Sequence, residues 1–364
     1  MKEIQVPTML LDWAKASNNL QKMMDKANQN GIMLRPHFKT PQSKEIGRKC
    51  REMGITSITV SSFKMAEYFA ADGWKDITVA FPVNVRELGK ISRLSRKINL
   101  NLVVVNPESI DLISEPFPGE IGVFIKIDVG THRTGLAPDD DKSINACLEK
   151  VAASPSLFFK GFLAHAGHSY QARSADEIMD VHRSSTAILQ KLKKKYRQKC
   201  LGLIISTGDT PTCSVATKWT GTDELRPGNF IFYDLMQVQI GSCSMNEIAV
   251  ALACPVVAKH ADRQEVIIYG GGIHLSKDRL DWDGRTVFGM PVRLNGSGWE
   301  MPDGVSYVRS LSQEHGVIKC TPTLFECLKI GDLVGILPVH SCMMVDLMDG
   351  YLTLGGEFWS KMCK

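Results

Sequence analysis

Gly31-Ile32-Met33-Leu34-Arg35-Pro36-His37-Phe38-Lys39-Thr40 joins a short apolar run to a polar, cationic end. The run 31–34 has the continuous apolar pattern of a strand covered on both faces. A helix-like segment follows at 42–54, with Ile46 and Met53 among its apolar positions. Lys39 therefore falls where a strand hands over to a helix, the end of an α/β unit where ligands bind. A lysine pressed beside Phe38 at a strand end is expected to lose solvation, which lowers its pKa and makes its amine a usable nucleophile. Most lysines are solvated surface residues, so the remainder of the chain has to decide between the two readings.

Working outward, strand-like runs fall at 33–39, 57–62, 77–82, 99–105, 122–129, 161–165, 202–206 and 229–233. Amphipathic segments lie between them, at 64–72, 85–97, 140–153 and 175–197, and a first helix at 13–28 precedes the first strand. Eight strands in this β-then-α rhythm predict a (β/α)8 barrel of the TIM type. An open doubly wound sheet would need a Gly-rich turn after its first strand, and none is present. After Asp234 the rhythm changes. Runs at 248–257, 265–269, 305–308 and 332–337 read as strands, punctuated by Gly and Pro, without long helices. The expected organisation is a barrel over 10–238 and a mostly β domain over 239–364, which 1–9 could join; the short strand Thr8–Asp12 could belong to either.

Composition narrows the class. Hydrophobic residues make up 44% and charged residues 23% of the 364, ordinary for a globular enzyme. A net charge of +4 gives no case for nucleic acid, and the basic run 191–199 reads as the solvated end of a helix. The polar start at 1–7 lacks an apolar signal core, and no window reaches a membrane-spanning length. Ten cysteines without paired spacing read as reduced thiols in a cytoplasmic protein.

Polar clusters fall at the barrel's strand ends: Asp128–Gly135 after the fifth strand, His165–Tyr170 after the sixth, Ser206–Thr212 after the seventh, and Glu224–Asn229 at the eighth. A barrel brings them all to one rim with Lys39. Ser206-Thr207-Gly208-Asp209-Thr210 and Arg226-Pro227-Gly228-Asn229 suit a phosphate cradle, because small residues expose backbone N–H groups and hydroxyls add donors. Turn chemistry alone would also select Gly, Asp, Thr and Pro. Their joint place after strands seven and eight, where barrels bind phosphate, favours the cradle. A lysine amine, a phosphate cradle and nearby cations suggest pyridoxal phosphate held as a Schiff base. Arg133 or Arg226 would meet the ring's phenolic oxygen or nitrogen, and His165 would stack on the ring, unless it is a packed core histidine. In the β domain, His340 and Cys342 stand at i and i+2, so on an extended segment both would face one ion. Imidazole and thiolate suit zinc. Ser312–Gly316, containing His315, is a candidate further ligand, outer carboxylate or acid/base.

Taken together these motifs resemble the D-serine dehydratase and D-threonine aldolase family, pyridoxal-phosphate enzymes of the alanine racemase fold. The resemblance runs through Thr8–Asp12, Arg35–Thr40, Asp128–Gly135, Ala164–Tyr170, Ser206–Thr212, Arg226–Tyr233, Ser312–Gly316 and Leu337–Cys342. It implies a homodimer, Lys39 as the cofactor lysine, and a divalent metal on the His-x-Cys pair, with zinc in the dehydratase branch. The aldolase branch usually carries His-x-Asp. Asp346 is too far beyond Cys342 on an extended segment to serve as that ligand. The expected activity is β-elimination from a D-3-hydroxyamino acid such as D-serine or 3-hydroxy-D-aspartate, giving a 2-oxo acid and ammonia. Lys39 takes the Cα proton, and Tyr170, Thr207, Gly208, Thr210, Arg226, Gly228 and Asn229 join the cofactor site. An aldolase would use the same parts with His165, His168 or His315 as base at the β-hydroxyl. A racemase would need a second acid/base on the opposite face of the cofactor, and no residue is marked for it.

Overall fold

The computed structural model describes residues 4–114 and 116–363. Residues 1–3 of the polar start read above lie outside the described residues.

Eight parallel strands, Met33–Leu34, Ile58–Val60, Asp76–Pro82, Asn99–Val104, Ile121–Lys126, Leu157–Leu163, Ile204–Thr207 and Glu224–Leu225, follow one another in sheet order. The first strand pairs with the eighth, Met33 opposite Glu224. It reaches the second strand through His37, which bridges to Thr59. Phe38 N donates to Thr59 O at 2.8 Å and Thr59 N to Pro36 O at 3.0 Å, which closes the ring. The predicted barrel is therefore present. Its helices form for ordinary reasons. Trp13–Gln29 starts where the Asp12 carboxylate accepts from Lys15 N, and it buries Ala16, Leu20, Met23 and Ala27 at helical spacing. Ala175–Tyr196 is capped by Ser174, with Asp176 and Glu177 in its first turn and Lys193, Lys194 and Lys195 in its last.

Two strands differ from the sequence reading. The eighth is Glu224–Leu225, not 229–233, where Asn229–Ile231 forms a 3-10 turn and Tyr233 takes a left-handed φ of 51°. Phe230, Ile231 and Phe232 are all buried, and a short apolar run does not distinguish strand from buried turn. The first strand stops at Leu34 because Pro36 cannot continue the ladder, so 37–40 is a loop carried by one bridge. This correction places Arg226-Pro227-Gly228-Asn229 after the eighth strand rather than at its start.

The C-terminal part is richer in strands than its four clearest runs suggest. Val250–His260 pairs with Leu333–Pro338 on one side and Thr8–Leu11 on the other, both antiparallel. Thr8–Leu11 thus joins the β part, and Gly350–Thr353 extends it in parallel. Gly289–Asn295 and Gly298–Glu300 widen this sheet. Glu265–Tyr269, His315–Lys319 and Tyr307–Leu311 form its folded-over flank. Several of these strands are short or interrupted by Gly, which hides a period of two. The two parts meet close to Lys39: Tyr351 Oη donates to Pro41 O at 2.5 Å, and Met362 N to Gln42 O at 2.7 Å.

All ten cysteines are free thiols. Among the described residues no helix is long and apolar enough to cross a membrane. Within 191–199, Leu192 and Tyr196 point inward and Lys193 and Lys195 pair with Asp223 and Asp141, so the basic run is a solvated helix face.

Candidate active site

A cavity of about 600 Å³ opens at the C-terminal ends of the barrel strands. Lys39, Arg133, His165, Tyr170, Gly208, Thr210, Arg226, Gly228, Asn229, His340 and Cys342 all line it. For the barrel residues the strand-end position explains the convergence, because each of their loops follows its strand at the same rim; His340 and Cys342 come instead from the end of Leu333–Pro338 in the β-rich sheet.

Gly208, at φ 147°, lets the chain cross closely over the next strand: a Cβ there would lie 2.5 Å from Arg226 N. A Cβ on Gly228 would lie 2.9 Å from His37 O. The backbone N–H groups of Gly208, Gly228 and Asn229 find no protein acceptor among the described residues. Thr134 Oγ1, Thr210 Oγ1 and Asn229 Oδ1 are buried without a hydrogen-bond partner. Unpaired buried polar atoms are costly, and here they border a cavity of ligand size. The three N–H groups and the two threonine hydroxyls are donors and fit a phosphate; the Asn229 amide oxygen only accepts. Two members of the expected cradle do otherwise. Asp209 caps the turn Thr210–Val215, accepting from Thr212 N at 2.9 Å and from Ser169 Oγ at 2.6 Å. The Ser206 hydroxyl is engaged below the cavity, and Thr207 does not line it.

The cavity is strongly cationic. Lys39 is exposed, so the desolvation expected from its neighbour Phe38 does not occur. Phe38 instead points into the core against Phe69 and Trp74. Arg133 is also exposed, on a loop held by the Asp128 carboxylate, which accepts from Gly130, Thr131 and His132 N at 2.9, 2.9 and 3.1 Å. His165 Nδ1 lies 3.0 Å from Gly208 O and must donate to it, which turns Nε2 outward. Burial and the charges of Lys39, Arg226 and Arg133 push its pKa down to about 3, so the ring is neutral. Burial, with the Asp209 charge, raises the Tyr170 phenol and keeps it protonated.

Lys126, His37 and Met236 are among the lining residues given no role from the sequence. Lys126 is buried without a hydrogen bond among the described residues, and burial followed by Arg133 and Arg226 lowers its pKa to about 8. Its signal was a lysine closing an otherwise apolar strand. His37, beside Lys39, is held well below the usual imidazole range by burial, then by Lys39, Arg226 and His165. Met236 sits on the short helix Leu235–Ile240.

The metal pair reaches the cavity by a different geometry from the one expected. His340 and Cys342 are not on an extended segment. His340 caps the helix Ser341–Leu347, and Cys342 lies in its first turn. On a helix, Asp346 shares a face with Cys342, whereas an extended chain would have carried it away. Asp234 Oδ2 takes His340 Nδ1 at 3.1 Å, which leaves Nε2 free. Burial opposes, but the Cys342 and Asp234 charges prevail and raise His340 to about 9. Cys342 Sγ lies 3.2 Å from Thr40 Oγ1 and 3.7 Å from Asn229 Nδ2. Among the described residues no group of three or more His, Cys, Asp or Glu could hold a metal. One imidazole and one thiol, with a carboxylate behind the imidazole, fit a metal whose other positions face a ligand. His168 contacts Thr131 and does not line the cavity. His315 is exposed on the strand His315–Lys319, opposite Tyr269, and does not line it either.

Fold and site define a closed (β/α)8 barrel with a β-rich second part and a basic cavity at their seam. The chain belongs to the family described as "Alanine racemase, N-terminal domain", whose pattern matches residues 11–235; residues 249–354 match "Putative serine dehydratase domain". The D-threo-3-hydroxyaspartate dehydratase of Delftia sp. is 28% identical over 97% of this chain and 95% of its own. Its structure superposes with a TM-score of 0.91 over 100% and 99% of the two chains, at 25% identity. A cysteine variant of it, described as the metal-free form, gives 0.92 over the same shares at 25% identity. The D-serine dehydratase of Dictyostelium discoideum is 28% identical over 98% of this chain and 95% of its own. The D-threonine aldolase of Arthrobacter sp. is 23% identical over 97% and 90%.

Proposed function

We propose that this chain is a pyridoxal-phosphate- and metal-dependent lyase that removes water from a D-3-hydroxyamino acid, giving a 2-oxo acid and ammonia. The observation that carries it is the meeting of Lys39 with His340 and Cys342 in one cavity. The relatives named as dehydratases and as an aldolase support the substrate class, and the neighbour described as a metal-free form supports a metal.

Lys39 Nζ, an exposed amine of the cavity lining without a hydrogen bond or ion pair among the described residues, would hold the cofactor's aldehyde carbon. Gly208, Thr210, Gly228 and Asn229 would hold its phosphate; Arg226 and Arg133 would face the ring, and His165 would pack on it. His340 Nε2 and Cys342 Sγ would hold the metal, and the thiolate favours zinc over magnesium or calcium. When bound, pyridoxal phosphate supplies an electron sink for Cα, and the metal a Lewis acid for the β-oxygen. Lys39 Nζ would take the Cα proton of the bound substrate. The cations of the cavity orient the substrate carboxylate. His165 stays neutral because burial and neighbouring cations oppose its protonation.

Elimination is favoured over aldol cleavage because the candidate β-hydroxyl bases do not assemble: His168 and His315 lie off the cavity lining, and His165 is held weakly basic. A panel of D-3-hydroxyamino acids, assayed for keto acid, glycine and aldehyde, tests this. Keto acid as the main product is expected. A homodimer and the division at 238/239 belong to the same reading. Ile273 and Met343, 43% and 47% exposed beside the site helix, support a partner surface, and the solution mass tests it.

A further inference from the structure

Below the cavity, a row of buried polar groups crosses the barrel. Arg35 donates through Nη1 and Nη2 to Asp76 Oδ1 and Oδ2, at 2.7 and 3.0 Å, and through Nε to Glu224 Oε2 at 2.6 Å. Ser206 Oγ donates to Glu224 Oε1 at 2.5 Å. A carboxylate only accepts, so the single hydroxyl proton of Ser206 is committed to Glu224. The serine lone pairs then face Arg226 Nε, which donates to Oγ at 2.6 Å. Arg226 Nη2 donates to Ala164 O at 2.5 Å and Ser206 O at 3.3 Å. Nη1 is left without a protein partner among the described residues, on a side chain that lines the cavity.

We infer that Glu224 and Ser206 are positioning residues, a polarised relay that fixes Arg226 so that Nη1 alone is presented to one acceptor atom of the cofactor ring. The inference rests on the reading that pyridoxal phosphate fills the cavity. Barrel filling alone does not require this row, because apolar side chains generally pack a core as stably as a buried ion network. Glu224 pairs directly with Arg35 and reaches Arg226 through Ser206, so removing its charge leaves Arg35 with Asp76 and breaks the link to Arg226. Burial lowers the Arg226 pKa to about 10, and the Glu224 charge opposes that fall. Gly208 completes the device, since a Cβ there would strike the Arg226 backbone.

The test titrates wild type, Ser206→Ala, Ser206→Thr and Glu224→Gln with pyridoxal phosphate. It reads Kd, the pH midpoint of the visible band, and Tm. Ser206→Ala should bind on the order of tenfold more weakly, from loss of a hydrogen bond to a charged group, with a displaced pH midpoint. Ser206→Thr keeps the hydroxyl and should stay close to wild type. Glu224→Gln should follow the alanine variant, and if it does not fold, the Ser206 pair decides. An Ala variant with wild-type Kd and midpoint would overturn the relay, as would Ala and Thr variants that are indistinguishable at equal Tm. A wild-type chain that takes up no pyridoxal phosphate would instead overturn the functional reading, and the relay's purpose with it.

Discussion

Asp234 Oδ2, on the barrel side of the seam, meets His340 Nδ1, on the β side, at 3.1 Å. The same oxygen accepts from Ser341 N at 2.9 Å and Asn229 Nδ2 at 2.6 Å, and the carboxylate is fully buried. It therefore sets the imidazole tautomer and ties His340, proposed to hold the metal, to Asn229, proposed to hold the phosphate. Asp234→Asn should weaken metal affinity by roughly 10–100-fold, the usual cost of losing such a partner. Chelator competition would measure it. The cofactor's visible band should persist, and unchanged metal affinity would remove Asp234 from this role.

Lys39→Ala should abolish the visible band of bound pyridoxal phosphate. Borohydride treatment of the wild-type holoenzyme should label the peptide that contains Lys39. Label on Lys126, the other lysine of the cavity, would reassign the cofactor lysine.

Thr210 Oγ1 is buried and unpaired at the cavity wall, so a phosphate oxygen would satisfy it. Thr210→Ala should weaken pyridoxal phosphate binding by ~1–3 kcal/mol, read from the same titration. A change within error would leave the phosphate to other groups.

A chelator should stop keto-acid release while leaving the visible band, because the metal pair and Lys39 occupy different loops. Zinc should restore the activity of the wild type but not of Cys342→Ala. Pyruvate formed from D-serine at full rate by chelated enzyme would defeat the metal's role. Glycine and aldehyde formed from D-threonine, much faster than any keto acid, would select aldol cleavage.

Lys126 should make the cofactor-free protein's stability depend on pH. Its folded pKa, about 8, lies below the free lysine value of 10.5, so between these pH values the unfolded chain holds more protons and stability rises with pH. Lys126→Met should stabilise the cofactor-free protein at neutral pH, with a pH-dependent part of roughly 2–3 kcal/mol. That part should be full below pH 8 and gone above about pH 10.5. Denaturant melts at pH 7 and 10.5 measure it, and a gap that does not narrow would show Lys126 to be solvated.

Sequence by itself determined the barrel, because apolar runs alternating with amphipathic segments leave few ways to bury both faces of a parallel sheet. It also determined that Lys39 and the loops at Asp128, His165, Gly208 and Arg226 share a rim, since that follows from strand order alone. It could not place the eighth strand, because buried Phe230, Ile231 and Phe232 look the same in a turn as in a strand. Tertiary structure alone decided that Lys39 is exposed while Lys126 is buried, for burial depends on neighbours distant in the chain. It also turned His340 and Cys342 onto a helix start and supplied Asp234, 106 positions earlier, as the carboxylate behind the imidazole. No local pattern encodes that contact, which exists only because the barrel and the β sheet close on each other at that point.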